Sequence, residues 1–67
     1  MKVPRTIEEL EKILKGRWFL PEERLYYHIL RVKSPRNRRR YVLALVKKLA
    51  RKDVILPPDL IEKLCRV

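Results

Sequence analysis

Glutamine is absent from this 67-residue chain, and glycine, cysteine, histidine, asparagine, serine and threonine each occur once. These scarcities exclude whole classes of protein. One cysteine rules out an internal disulfide framework, and one His with one Cys makes no zinc ligand set. One glycine rules out a Gly-rich phosphate loop, a collagen repeat and a flexible linker. No metal and no cofactor is therefore expected. The longest unbroken apolar run covers residues 41–46, far short of the ~20 residues of a membrane-spanning helix. The N-terminus lacks a charged start followed by an apolar stretch, so no secretory signal is expected and the default address is the cytoplasm.

What remains is charge and aliphatic side chains. Charged residues make up 39% and apolar residues 46%, enough apolar content to fold rather than remain a polar tail. Few amides with many charges is the composition of hyperthermophile proteins. The length allows one small domain, residues 1–67, burying about 60% of its unfolded surface. Eighteen Lys and Arg against eight Asp and Glu give a net charge of +10. Residues 1–30 contribute +1 and residues 53–67 contribute −1, whereas residues 31–52 hold ten bases and no acid. A solvated face mixes signs because like charges repel, so a one-sign block inside a folding segment points to an anionic partner.

The apolar periodicity predicts a small all-α domain of three to four helices, over about residues 6–15, 21–33, 35–52 and 59–66. Thr6 and Glu9 have capping-box spacing, and Ile7, Leu10, Ile13 and Leu14 follow at helical intervals. Gly16 suits a left-handed helix stop. Pro21 with Glu22 and Glu23 suits the first turn of a second helix bearing Leu25, Tyr26, Ile29, Leu30 and Val32. Ser34-Pro35 reads as an N-cap with Pro at the first helical position. In the third helix Val42, Leu45, Val46 and Leu49 face the core, while Arg36, Arg40, Lys47 and Arg51 fall within roughly 60° of one another on the opposite side. Ala44 would let a partner approach the backbone closely. Val54-Ile55-Leu56 is an extended apolar segment with no evident strand partner. Asp59 and Glu62 repeat the capping-box spacing, ahead of Leu60, Ile61, Leu64 and Cys65.

No catalytic constellation is apparent, and a non-enzymatic protein without a small-molecule substrate is expected. His28 has no fixed partner in the sequence. Thr6 and Ser34 serve as caps, and Cys65 sits on an apolar face. Glu22 and Glu23 are adjacent, and so point about 100° apart on a helix.

The strongest feature is Arg36-Asn37-Arg38-Arg39-Arg40. A helix N-terminus already carries positive dipole charge, so each cation there costs about 0.3–1 kcal/mol. Free N–H groups and guanidinium forks together suit phosphate. A local rule broken in this way marks a functional site. The expected nucleic-acid contacts are Lys33, Arg36, Asn37, Arg38, Arg39, Arg40, Lys47, Lys48 and Arg51. The competing explanation is intramolecular: Glu8, Glu9 and Glu11 of the first helix neutralise the arginines.

Helix two, a short turn and a basic helix three resemble a helix-turn-helix, although its usual turn glycine is missing. In size, charge and sparse core the chain is similar to small archaeal ribosomal proteins. That similarity implies a ribonucleoprotein partner, structured ribosomal RNA in contact with other proteins of a larger complex, with DNA as the alternative. Trp18, Phe19, Tyr26 and Tyr27 cluster within ten residues. Trp18 and Phe19 are expected to plug the core between the first two helices, with base stacking as a second role, above all for Tyr27. Glu11, Leu14, Trp18 and Phe19 also resemble a sliding-clamp-binding peptide, with Glu in place of Gln and one extra residue before the aromatic pair. That resemblance implies a protein-interaction module or clamp inhibitor. A membrane-surface role is not expected, because the apolar face of the basic helix is needed for the core.

Overall fold

The chain folds as four α-helices in this computed structural model, which describes residues 1–66. They are α1 (Ile7–Leu14), α2 (Leu20–Arg31), α3 (Pro35–Ala50) and α4 (Pro58–Arg66), with one 3-10 turn, Arg17–Phe19, before α2. The all-α architecture follows from the apolar spacing. α2 packs on both α1 and α3, and α3 packs on α4. The core gathers Leu10 and Leu14 of α1, Tyr26 and Ile29 of α2, Val42, Leu45 and Leu49 of α3, and Leu60 and Leu64 of α4. Ile13, Leu25, Leu30, Val46 and Cys65 pack partly buried around it.

Several local devices differ from their sequence expectation. Thr6 caps α1, its Oγ1 accepting from the Glu9 N–H at 3.2 Å. The Glu9 carboxylate, however, accepts from the Arg5 N–H, one residue upstream of the usual capping-box partner. Ser34 occupies the N-cap position of α3 but its hydroxyl makes no capping bond. Asp59 lies inside the first turn of α4 rather than ahead of it. It therefore complements the helix dipole and does not form the expected box. The segment 54–56 does find a partner. Lys2 forms a parallel bridge with Val54, through Lys2 N–H to the Asp53 carbonyl at 2.8 Å and Ile55 N–H to the Lys2 carbonyl at 2.9 Å. The N-terminal residues are thereby tied to the α3–α4 connection.

Gly16 was the expected left-handed stop, but its backbone is extended (φ −72°, ψ 149°). The left-handed residue is Asp53, at φ 62°. There the Asp53 N–H donates to the Ala50 carbonyl (3.2 Å) and the Val54 N–H to the Leu49 carbonyl (2.9 Å). This is the paired bonding of a Schellman motif, and Val54 and Leu49 are both buried in the core as that motif favours. A short Asp that tolerates the left-handed well closes α3 where glycine would ordinarily stand.

Two polar contacts lock the helices. The Tyr26 O–H donates to the Glu11 carboxylate at 2.9 Å, joining α2 to α1. Lys52, just beyond α3, places its ammonium 2.7 Å from buried Glu22 in the first turn of α2. Its Nζ also donates to the Trp18 carbonyl and lies 5.4 Å from the Trp18 ring and 5.3 Å from the Phe19 ring. The expectation that Trp18 and Phe19 both plug the core holds only for Phe19; Trp18 is 66% exposed.

Three substitutions test these local features. Asp53→Gly relieves the left-handed strain and raises folding stability by about 0.5–1 kcal/mol in urea denaturation. Gly16→Ala is tolerated as well, since its added Cβ meets nothing nearer than 3.9 Å. Burial, reinforced by the Glu11 carboxylate, pushes the Tyr26 phenol well above its ordinary value of 10. Its contribution is whole below pH 10 and is lost as pH rises further, because the unfolded chain then ionises first. The stability gap between the natural chain and Tyr26→Phe, about 1.5 kcal/mol near neutrality, therefore narrows above that pH in denaturation series.

Candidate nucleic-acid interface

Helix α3 is divided by its own periodicity. Val42, Leu45 and Leu49 are buried and fix the inward side. Arg38 precedes Val42 by one turn and so shares that side. It is half-buried, whereas Arg36, Asn37, Arg39 and Arg40 are exposed. The Arg38 guanidinium donates from Nη2 to the Val32 carbonyl at the end of α2, and its Nε is buried without a partner. The arginine run is thus split: Arg38 pins α2 to α3, and its neighbours face solvent.

Opposite the core, Arg36, Arg40, Lys47 and Arg51 are all exposed. At 1.5 Å rise per residue they form a stripe about 22 Å long. Asn37 and Lys48 flank it on the side where Tyr41 meets His28 of α2, their rings 4.7 Å apart and near perpendicular. Arg39 flanks it on the other side, lining a cleft with Leu43 of α3 and Ile61, Glu62, Cys65 and Arg66 of α4. Lys33 is exposed in the connection just before α3.

The intramolecular neutralisation that competed with an anion site is not found. Among the described residues, Lys52–Glu22 is the ion pair within 4.0 Å, and Lys52 is not part of the stripe. Of the α1 acids, Glu9 accepts from Arg5 and Glu11 from Tyr26. The stripe therefore presents positive charge to solvent with no ion-pair partner within 4.0 Å among the described residues.

The aromatic candidates lie elsewhere. Trp18 shares a cleft with Met1, Lys2, Lys52 and Asp53 beyond the C-terminal end of α3. Tyr27 is 49% exposed on α2, beside Tyr26. Phe19 is buried, Leu14 is buried and Glu11 is bonded to Tyr26, so the fold consumes three of the four positions of the clamp-peptide resemblance. Tyr41 does not stand out in the sequence, and His28 enters there only as a general base without a fixed partner. The one signal for Tyr41 is its spacing of one helical turn from Asn37, and its pairing with His28 depends on how α2 packs against α3.

The split in the arginine run has an energetic signature. Arg38→Ala should lower stability by about 1.5–3 kcal/mol, as it removes a charged donor from the part-buried Val32 carbonyl. Arg36→Glu should raise it by about 0.5–1 kcal/mol by placing an acid at the positive end of α3. Urea denaturation of the two variants checks both signs. No group of three metal-ligating side chains occurs, and no helix is long and apolar enough to cross a membrane, among the described residues. Compared with protein-family models, curated proteins and solved structures, the chain matches none.

Proposed function

We propose that this chain is a non-enzymatic nucleic-acid-binding protein that holds structured RNA, ribosomal RNA foremost, through the solvent face of α3. The observation that carries the reading is the stripe of Arg36, Arg40, Lys47 and Arg51, exposed along one line with no carboxylate within 4.0 Å among the described residues. Long cations spaced along a straight helix suit phosphates, which position a nucleic acid without reading its sequence. Asn37 is the one exposed amide on α3, so base-edge readout is sparse. Exposed Trp18, Tyr27 and Tyr41 offer ring surfaces that a paired duplex does not use and that unpaired RNA bases do. A domain this small also gains order from a partner that binds only its folded state.

A second reading has its own observation. α2 and α3 are joined by residues 32–34 alone, and Arg36, Asn37, Arg39 and Arg40 are exposed where a helix-turn-helix recognition helix meets base edges. Duplex DNA is the partner in that reading.

Titration of a structured RNA and of a duplex DNA across a salt series tests both. With about five phosphates engaged by Arg36, Arg40, Lys47, Lys48 and Arg51, log affinity for RNA falls against log salt with a slope of about −4. Arg40→Ala shallows that slope by about one. A flat salt response, or binding unchanged when Arg36, Arg40, Lys47 and Arg51 are all alanine, overturns the proposal. Tighter binding to the DNA favours the second reading.

A further inference from the structure

Beside the basic stripe, on its α2 side, lies a cleft of about 310 Å³ lined by Asn37, Arg40, Tyr41 and Ala44. Its walls are one helical turn apart, so the cleft is a notch in the surface of α3. It exists because Ala44 carries only a methyl group between longer neighbours. Tyr41 is 37% exposed, and His28 of α2 meets its ring near perpendicular at 86°, with centroids 4.7 Å apart. Edge-to-face contact of this kind is favourable and fixes the orientation of the rings. The tyrosine is thus held by a neighbouring helix instead of lying free on the surface.

We infer that this notch receives a single unpaired base of the bound RNA, stacked on the Tyr41 ring. The inference deepens the proposed function and rests on it, because the stripe supplies the strand. The groups present match the parts of one nucleotide. An aromatic face takes a base of any identity. The Arg40 guanidinium, shared between the notch and the stripe, takes the adjoining phosphate. The Asn37 amide offers a donor and an acceptor to a base edge. The volume lies at the lower bound of small-ligand sites, and only four residues line the notch. It suits a base tethered to a chain already held by neighbouring cations, which raises its effective concentration, rather than a free ligand.

The test compares a fluorescently labelled RNA hairpin bearing an unpaired loop with a fully paired RNA of the same charge. The natural chain should bind the looped RNA about tenfold more tightly, the usual worth of one stacked base. Tyr41→Ala should erase that preference and leave the salt slope unchanged, and Tyr41→Phe should retain it. Ala44→Leu, which fills the notch and leaves Tyr41 in place, should also erase it. Circular dichroism melts establish that each variant is folded; Tyr41 is exposed, Ala44 is half-buried, and neither belongs to the buried core. Equal affinity of the natural chain for the two RNAs, with steep salt dependence, overturns the notch and leaves the phosphate stripe standing. Retention of the preference by folded Tyr41→Ala overturns it as well. Absence of salt-dependent binding to either RNA overturns both.

Discussion

Ten positive charges occupy residues 31–52, and their mutual repulsion is the constraint around which the remainder of the molecule is arranged. One of the ten, Lys52, is paired with a carboxylate; none of the other nine has one within 4.0 Å among the described residues. Repulsion along a single helix would favour a splayed, solvated chain. What opposes it is the inward side of α3, where Val42, Leu45 and Leu49 are fully buried against α2 and α4. Each such side chain contributes roughly 1.5–3 kcal/mol on burial. A few aliphatic anchors therefore hold in place a face that electrostatics alone would disperse.

Within that compromise the charges have separate duties. Lys52 and Arg38 are turned to internal use, the first on Glu22 and the Trp18 carbonyl, the second on the end of α2. Both sit at the margins of α3 and fasten it to its neighbours. Arg36, Arg40, Lys47 and Arg51 make no side-chain hydrogen bond or ion pair among the described residues. Four cations that add no internal bond, one of them at the wrong end of a helix dipole, lower stability for no structural return. Natural sequences tolerate such a conflict at sites selected for something other than stability. The proposal of a phosphate-binding face rests on this imbalance.

Periodicity made the helices and their buried sides legible in the sequence, because an apolar residue every three to four positions has few other meanings. The charge block was equally plain. What escaped were features set by three-dimensional packing. The single glycine drew the expectation of a left-handed stop, yet the chain uses Asp53 there and leaves Gly16 extended. The apolar segment at 54–56 gained its bridge from Lys2, fifty-two positions away. Trp18 and Phe19 look equivalent as letters, but adjacent residues in a tight turn face different ways, and only Phe19 reaches the core. Arg38 was grouped with its neighbours although the same 100° step that placed Val42 inside also placed Arg38 inside. The edge contact of His28 with Tyr41 needs the relative placement of two helices, which composition does not encode.

Mapping by NMR of the folded, isotope-labelled chain during titration with a structured RNA addresses the central claim most directly. Backbone resonances of Arg36, Arg40, Lys47 and Arg51, and the guanidinium resonances of the three arginines, should shift together and saturate together, with the backbone resonances of Arg38, Lys52 and Glu22 little changed. Shifts confined to the Trp18 side of the molecule, or none on α3, would contradict the account.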